Sequence, residues 1–395
     1  MIILGIYGAL GWDGNIAFPG QGMPDVWVHG SSATLFIDGK LCGALSEERL
    51  TRIKYDGCYP ENVINKLLLR NSIKVTDIDI VVMSGTPNRH TYYYKRMGYF
   101  EATLEKKFPN SNIILIDHHK CHAVSSFVTS GYDEANIFTF DGGGEMCEVP
   151  VDHNKYYHHS HNTSNFFIGN LEYRNVSKFY GTWAPIGCFG LFYSFMANQA
   201  YNFKIHGHDY SSWSDERDAM EGKVMGLSAY GDYTKVNFPE PFVLDFFKDF
   251  PVIRWNDDFE SAWKQWNWAP ATEILLQPGI TAEDIASWTQ FQFEKYLLLF
   301  LSHIPKRVKK KKICLGGGCS LNILANSKII EEGIYEDVHV NTAPGDDGIS
   351  FGAAALAAFK EEKDFMIPDN IGCIGFDYDN VDIYKVLEQN EIQEI

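Results

Sequence analysis

The feature that most constrains the fold is an apolar strand that runs directly into a glycine-rich turn. The three instances are Ala135–Phe140 before DGGGE, Lys312–Leu315 before Gly316–Gly318, and Asp337–Val340 shortly before APGDDG. Consecutive glycines let backbone N–H groups approach a ligand, and the carboxyl ends of strands in an α/β fold meet at one edge of the sheet. The pattern therefore predicts an α/β protein whose ligand cleft lies where these turns converge.

The predicted elements follow one order twice, which indicates a duplicated unit. The first copy is predicted to contain strands Met1–Gly8, Ser32–Ile37 and Lys40–Ser46, helix Pro60–Arg70, strand Ile78–Ser84, helix Tyr99–Phe108 and strand Asn112–Ile116. The second is predicted to contain strands Ala135–Phe140 and Met146–Val151, helix Thr281–Ile304, strands Lys312–Leu315 and Asp337–Val340, and helix Ile349–Lys360. This order predicts the actin-like ATPase (ASKHA) fold, with two lobes around a central nucleotide and metal cleft.

The same order sets the expected domain organisation. Residues 1–130 are predicted to form the first lobe, completed by about 345–375, and residues 131–344 the second lobe. The segment 152–280 is rich in Trp, Tyr, Asn and His and is predicted as a large insertion in the second lobe. Residues 376–395 are predicted to be a C-terminal extension or the start of a linker.

The composition excludes several classes of protein. The net charge of −17 repels a polyanion, which argues against tight binding of duplex nucleic acid. No run of eighteen apolar residues is present, and the start, MIILGIYGALGWDG, has no basic region typical of a signal peptide. Eight scattered cysteines without a CxxC pair fit a reducing compartment. We therefore expect a cytoplasmic protein that does not enter a membrane.

A candidate metal site follows from the stretch ILIDHHKCH. His118 and His122 are spaced i, i+4, so a helix beginning after the strand puts both imidazoles on one face. Asp141 and Asp346 each lie in a glycine-containing turn after an apolar strand, where strand ends converge. Two imidazoles and two carboxylates suit iron(II), manganese or zinc. The alternative is that histidines at a strand-to-helix junction only cap or pack.

Two further groups of residues are candidates for ligand binding. Gly142 and Gly143, and the Gly316–Gly318 turn with Asn322, have the form of loops that bring backbone close to phosphate or adenosine, although GGG also serves as a plain tight turn. His29 and Lys54 flank the predicted first strands and could bind an anionic leaving group or stabilise an oxyanion. A solvated hairpin end is the alternative for that charged region.

Eight stretches resemble, in family order, the O-carbamoyltransferases of the NodU/CmcH type. They are HGSSATLFIDGK, SEERLTRIKYDG, DHHKCHAVSSF, FDGGGE, LFYSF, GKVMGLSAYG, LGGGCSLNILAN and APGDDGISFGAAAL. The resemblance implies an actin-like domain shared with the enzyme that makes threonylcarbamoyl-adenosine in tRNA. It also implies an enzyme that moves a carbamoyl group from carbamoyl-adenylate, formed upstream from carbamoyl phosphate and ATP, to an acceptor hydroxyl.

The resemblance also assigns roles to residues. Iron would be held by His118, His122, Asp141 and Asp346, and would orient a nucleotide phosphate. His29 and Lys54 match family positions close to the transferred group, and Asp141 or His29 would accept the proton of the acceptor. The glycine loop with Asn322 would hold the adenosine. The acceptor is expected to be a small molecule, a sugar or a nucleoside, and relatives point to a homodimer.

The sequence departs from the family at three places. Tyr55 replaces the histidine usual after the lysine, and Trp12–Trp27 is inserted before His29. Relatives continue into a YrdC-like domain that makes carbamoyl-adenylate, and nothing in this sequence resembles that domain. Either a separate YrdC-like chain supplies the intermediate, or the protein is a nucleotide-binding module or scaffold without transfer activity. A third alternative, tRNA modification, is disfavoured by the acidic charge.

Overall fold

The computed structural model describes residues 1–9, 28–84, 99–144, 146–148, 159–183, 188–198, 200, 220–259, 279–369, 371–375 and 380–389. The predicted insertion Trp12–Trp27 lies outside these residues, as does the whole stretch 149–158. Among the residues described, no helix has both the length and the apolar character needed to cross a membrane.

The first sheet has five strands in the order β3-β2-β1-β4-β5. They are β1 (Ile2–Tyr7), β2 (Ser32–Ile37), β3 (Lys40–Ser46), β4 (Ile80–Ser84) and β5 (Asn112–Ile116). Strands β1 to β3 are antiparallel, whereas β1, β4 and β5 run parallel. The β2–β3 turn has φ of 49° at Asp38 and 77° at Gly39. Two positive φ angles are typical of the hairpin turn predicted for Asp-Gly.

The second sheet repeats this arrangement. Its strands are β6 (Glu134–Phe140), β7 (Met146–Glu148), β8 (His159–Asn170), β9 (Asn175–Trp183), β12 (Lys312–Gly316) and β13 (Asp337–Val340); a separate hairpin is formed by β10 (Phe242–Phe247) and β11 (Phe250–Trp255). Strand β6 pairs antiparallel with β8, which pairs with β9, and β6, β12 and β13 are parallel. The chain therefore has the actin-like ATPase fold, built from two equivalent sheets.

One part of the predicted second sheet is wrong. The sequence predicts Met146–Val151 as the strand that follows β6 through the glycine turn; Met146–Glu148 does form a strand, β7, but its described partner is β8 and not β6. The antiparallel partners of the second sheet, β8 and β9, lie in the segment predicted as an insertion. A run of buried polar residues in β8, Thr163 to Asn165, breaks the apolar pattern and so hides the strand in the sequence.

Ten α-helices are described along these residues. They are α1 (Glu48–Thr51), α2 (Glu61–Arg70), α3 (Tyr99–Lys107), α4 (His118–Val128), α5 (Phe189–Asn198), α6 (Met220–Leu227), α7 (Ala282–Ser302), α8 (Ile323–Glu331), α9 (Ile349–Glu361) and α10 (Asn380–Gln389). The predicted capping box of α7 is confirmed: Thr281 Oγ1 accepts the N–H of Asp284, whose carboxylate accepts the N–H of Thr281, both at 3.2 Å.

Helices α4 and α9 pack between the sheets and against each other. Helix α4 follows β5 of the first sheet but packs on strands of the second, and α9 follows β13 of the second sheet but packs on the first. Gly352 of α9 allows this crossing, because a Cβ atom there would lie 2.0 Å from the carbonyl oxygen of Cys121 in α4. Both helices begin at the cleft. The predicted domain boundaries themselves stay a prediction.

Candidate metal centre

Helix α4 begins as the spacing of its histidines requires. The Asp117 carboxylate accepts the N–H of Lys120 at 2.8 Å, which caps the helix directly after β5. His118 and His122 lie one turn apart on the same face, with ring centroids 4.7 Å apart and Nε2 atoms 3.1 Å apart. Both rings are buried. The local structure therefore brings two imidazole nitrogens to one point.

Two carboxylates reach the same point from other elements. Asp141 follows β6, and its Oδ2 lies 3.1 Å from His122 Nε2 and 3.9 Å from His118 Nε2. Asp346 lies in the turn before α9, and its Oδ1 is 3.5 Å from each of these nitrogens. One ligand atom from each of the four side chains lies within 4.8 Å of the others. The structure thus brings together the four residues that the sequence predicted as metal ligands.

The electrostatics of this cluster favour positive charge. Burial opposes ionisation of Asp141, yet hydrogen bonds to His118 and His122 hold its pKa well below its usual range. Burial likewise opposes ionisation of Asp346, and the charges of His118 and His29 outweigh it and lower its pKa. Burial alone would lower the pKa of His122, but hydrogen bonds to Asp141 and Asp346 raise it to about 9. Two anionic side chains thus face a buried pair of imidazoles.

This donor set fits a divalent metal ion. Two imidazole nitrogens and two carboxylate oxygens are borderline and hard donors, which suit iron(II), manganese or zinc. The Nδ1 atom of His118 is buried without a hydrogen-bond partner, so its Nε2 is the ring nitrogen that faces the other three side chains. A cation would balance the buried carboxylates better than a single imidazolium proton. The identity of the metal stays a prediction.

Two glycine turns hold Asp141 in place. Its Oδ1 accepts the N–H of Gly142 at 2.6 Å, and its Oδ2 accepts the N–H of Gly318 at 3.1 Å. A Cβ atom at Gly142 would meet nothing within 4 Å, so this turn faces open space. Gly143, predicted with it as a ligand-binding residue, follows in the same turn and is partly buried. The first predicted phosphate turn therefore lies beside the cluster of His118, His122, Asp141 and Asp346, the metal-type cluster.

The Gly316–Gly318 turn is packed tightly between α4 and β6. Gly317 has a φ of 91°, and a Cβ there would lie 2.4 Å from the carbonyl oxygen of Phe140. A Cβ at Gly316 would lie 2.8 Å from Ser126 Oγ. The N–H of Gly317 donates to the carbonyl of Pro344 at 2.8 Å. Close packing explains these glycines, and their contact with a nucleotide stays a prediction.

Asn322 follows this turn and makes internal hydrogen bonds. Its Oδ1 accepts the N–H of Ala325 at 3.0 Å, which caps α8, and its Nδ2 donates to Gln290 Oε1 at 2.8 Å. Gln290 Nε2 donates in return to Asn322 Oδ1 at 2.9 Å. The residue therefore fixes the start of α8 against α7. Its predicted contact with adenosine is a further role that no contact in the structure tests.

His29 lies beside Asp346, and Lys54 lies next to Tyr55, whose ring contacts His29. His29 is 56% exposed, and its Nε2 is 4.0 Å from Asp346 Oδ2. The ring of Tyr55 lies edge-on to His29 at 6.0 Å, and Lys54 Nζ lies 5.0 Å from the centroid of the Tyr55 ring. Tyr55 has a φ of 57°, and its N–H donates to the Glu48 carboxylate at 3.0 Å. Tyr55, the residue that departs from the family pattern, therefore lies between His29 and Lys54.

A family model described as the carbamoyltransferase N-terminus matches residues 87–355, more than half of the chain. The chain belongs to this carbamoyltransferase family. The matched range contains His118, His122, Asp141 and Asp346, so the whole metal-type cluster lies inside the family domain.

Individual relatives are distant. The nodulation protein NolNO of Sinorhizobium fredii is 25% identical over 379 residues, covering 90% of this chain and 50% of that protein. An uncharacterized protein of Synechocystis sp. is 24% identical over 376 residues, covering 83% of this chain and 55% of its own length. The chain therefore spans about half the length of these relatives. Among solved structures, HypF of T. kodakarensis matches with a TM-score of 0.47 and 13% identity, over 93% of this chain and 49% of HypF.

Two residues of this carbamoyltransferase-family site were missed in the sequence. Tyr7, the last residue of β1, is fully buried, and its hydroxyl donates to Asp346 Oδ2 at 2.6 Å. Burial and then the charge of Asp346 raise the pKa of Tyr7 well above its usual range, so the hydroxyl keeps its proton. Gly190 in α5 lets the Asp141–Gly142 turn approach, since a Cβ there would lie 2.3 Å from the Gly142 nitrogen. Only Tyr7's position at a strand end could have indicated its role.

Proposed function

We propose that this protein transfers a carbamoyl group from carbamoyl-adenylate to a hydroxyl group of a small molecule, a sugar or a nucleoside. The observation that carries the proposal is the convergence of His118, His122, Asp141 and Asp346 at the cleft edge of both sheets, inside the carbamoyltransferase domain. Such a buried, anionic donor set next to glycine turns supports binding of a metal ion together with phosphate.

These four side chains would hold a divalent ion, with iron(II), manganese or zinc as the candidates. When bound, the ion supplies Lewis-acid stabilisation of negative charge on phosphate oxygens. The residues themselves fix the site before substrate arrives. Asp141 is held by the N–H groups of Gly142 and Gly318, and Asp346 by the Tyr7 hydroxyl. Such preorganisation avoids reorganisation during the reaction.

The transfer requires a base at the acceptor. The acceptor oxygen bonds to the carbamoyl carbon, the bond from that carbon to the adenylate oxygen breaks, AMP leaves with the electron pair, and the acceptor proton passes to a base. Asp141 is a poor base, because its low pKa means a low affinity for a proton and its oxygens already contact Gly142, Gly318 and His122. His29 is exposed at the edge of the cleft, so we assign the base role to His29.

Lys54 would stabilise the negative charge of the leaving phosphate. Its turn includes two non-glycine residues in the left-handed region, Arg52 with φ 61° and Tyr55 with φ 57°. Backbone strain of this kind costs about 1–3 kcal/mol per residue and concentrates at functional sites. In this turn the Tyr55 ring lies 6.0 Å from the His29 ring and 5.0 Å from Lys54 Nζ, which supports a joint role of His29 and Lys54. The adenosine would then extend toward Gly316–Gly318 and Asn322.

The proposal is tested by supplying the intermediate. A YrdC-like protein, with carbamoyl phosphate and ATP, provides carbamoyl-adenylate to the metal-loaded protein and a panel of hydroxylated sugars and nucleosides. Mass spectrometry then detects a carbamoylated acceptor and AMP. We expect product with the wild type and a loss of at least about a hundredfold in rate for His29→Ala, as is typical for a general base.

The matched control is His303→Ala, which removes another exposed histidine at the end of α7. It should retain the wild-type rate. If the wild type binds a stable carbamoyl-adenylate analogue only when metal is present, yet no acceptor is carbamoylated, the reading as a nucleotide-binding module or scaffold is favoured. If neither metal nor analogue binds, the proposal is wrong.

A further inference from the structure

Each carboxylate of the metal-type cluster has its second oxygen engaged by a different group, and Asp141 Oδ2 also accepts the N–H of Gly318 at 3.1 Å. Asp141 turns Oδ2 toward His122 Nε2 at 3.1 Å, and its Oδ1 accepts the N–H of Gly142 at 2.6 Å. Asp346 turns Oδ1 toward both histidines at 3.5 Å, and its Oδ2 accepts the Tyr7 hydroxyl at 2.6 Å. Each carboxylate therefore offers one oxygen to the cluster and has its other oxygen engaged.

Tyr7 is well placed to fix Asp346. Its side chain is fully buried at the end of β1, with its ring centroid 5.9 Å from that of His118. A buried ring in a packed strand has little freedom to move away from the carboxylate. His29 Nε2 is 4.0 Å from the same oxygen and lies beyond hydrogen-bond distance. The short O–H to carboxylate bond of Tyr7 is thus the contact that occupies Oδ2.

We propose that Tyr7 is a positioning residue that keeps Asp346 a one-oxygen ligand and so preserves an open coordination position for a phosphate oxygen of the substrate. This inference rests on the proposed metal-dependent transfer. Four single donor atoms leave two positions of a six-coordinate ion for substrate or water, whereas a chelating Asp346 would leave one. A phosphate that binds through two oxygens needs both.

Removal of the hydroxyl should change how Asp346 binds the ion. In Tyr7→Phe the shape of the ring is kept, but Oδ2 of a carboxylate that is only 6% exposed loses its donor. A buried anionic oxygen without a partner is costly, and carboxylates readily bind hard cations through both oxygens. The freed oxygen is therefore expected to turn to the cation and displace one water molecule.

The test counts water molecules on bound manganese(II). Mn(II) added to the protein without substrate enhances the relaxation of water protons in proportion to the number of its water ligands. We expect the enhancement per bound ion in Tyr7→Phe to fall to about half that of the wild type, as one of two water positions is lost. The matched control is Tyr296→Phe, which removes another tyrosine hydroxyl bonded to a carboxylate, Glu240, at 2.8 Å and away from the cluster. It should leave the enhancement unchanged.

Each outcome decides the inference. Equal enhancement in wild type and Tyr7→Phe, or a variant that folds but binds no Mn(II), would overturn the role of Tyr7 while leaving the proposed function intact. A wild type that binds no Mn(II), iron(II) or zinc would overturn the proposed function as well.

A second measurement on the wild type does not depend on how the variant folds. The infrared splitting between the two carboxylate stretches is large for one-oxygen binding and small for chelation. Addition of Mn(II) to wild type should produce only the large splitting. A chelating signature in wild type would contradict the inference.

Discussion

The two sheets share one strand order but end differently at the cleft. In the first sheet the central strand β1 ends in Tyr7, and in the second the equivalent strand β6 leads into Asp141. Asp141 offers its own oxygen to the histidines, whereas Tyr7 acts through Asp346. The duplicated scaffold thus places one residue in each lobe at the same kind of strand end, and the chemistry differs because one supplies a donor atom and the other positions a donor.

The two connecting helices each follow a strand of one sheet and pack on the other sheet. Helix α4 leaves the first sheet, carries His118 and His122, and packs on the second; α9 leaves the second sheet behind the turn with Asp346 and packs on the first. The four-residue cluster is therefore complete only when both halves are packed together. Substitutions of cluster residues on the two sides should therefore weaken metal binding to a comparable extent.

The largest effect is expected from the two carboxylates. Asp141→Asn and Asp346→Asn should each weaken Mn(II) binding by more than the roughly 10–100-fold typical for loss of an outer-shell partner, because each removes an anionic donor. Competition with a fluorescent chelator measures the affinity. Asp245→Asn, in the exposed β10 hairpin, is the control and should bind as wild type does. A strong loss of Mn(II) affinity in only one of the two variants would contradict an equal contribution of the two carboxylates.

The next effect is the pH dependence of metal binding. In the metal-free protein the hydrogen bonds to Asp141 and Asp346 outweigh burial and raise the pKa of His122 to about 9. Below that pH a metal ion must displace the proton, so the affinity should rise about tenfold per pH unit between pH 7 and 9 and then level off. Titrations at several pH values, corrected for the chelator, measure this slope. An affinity that is flat from pH 7 to 9 would contradict the electrostatics described.

A smaller effect is expected where α4 and α9 cross. Gly352→Ala places a Cβ 2.0 Å from the Cys121 carbonyl oxygen, so the helices must separate, at a cost of about 1–3 kcal/mol in the free energy of unfolding. The metal affinity should fall with it, since the crossing holds the histidines near Asp346. Gly222→Ala in α6 is the matched control, because a Cβ there meets nothing within 4 Å. Urea denaturation should show that variant unchanged or slightly more stable.

The smallest effect concerns the start of α8 in the second lobe. Asn322→Ala removes the cap of α8 and the amide pair with Gln290, which should lower the free energy of unfolding by about 1–2 kcal/mol. Ser327→Ala on the exposed face of α8 should change it by less than about 0.5 kcal/mol. Thermal denaturation of the two variants side by side measures the difference. Equal stability of both would show that the cap and the amide pair do not stabilise the start of α8.

Periodicity and turn chemistry made much of the fold predictable. The Asp38-Gly39 hairpin, the Thr281 capping box and the i, i+4 spacing of His118 and His122 each have a local cause, so the sequence contains them in readable form. Strand β8 was hidden because the buried polar run Thr163–Asn165 precedes its buried apolar residues Phe166 and Phe167, so the strand shows no apolar alternation over its length. Its pairing with β6, β7 and β9 decides such a strand, and these backbone hydrogen bonds leave no pattern in the side chains of β8 itself.

Some residues of the candidate site could likewise be predicted from the sequence, and others could not. The four ligand residues were predictable because their residue types and spacing are typical of metal donors. Tyr7 was not, since an aromatic residue that ends an apolar strand looks like any core residue until Asp346, 339 positions later, is placed beside it. The internal bonds of Asn322 were equally invisible, because they depend on how α7 lies against α8.

The most direct measurement of the central claim is a calorimetric titration of a stable carbamoyl-adenylate analogue into metal-free and Mn(II)-loaded protein. If the cluster of His118, His122, Asp141 and Asp346 forms the metal centre of a carbamoyl-transfer cleft, the loaded protein should bind the analogue tightly, and metal-free protein and Asp346→Asn should bind it far more weakly. Binding of equal strength in the metal-free protein would contradict the account, because the cluster would then have no part in holding the substrate.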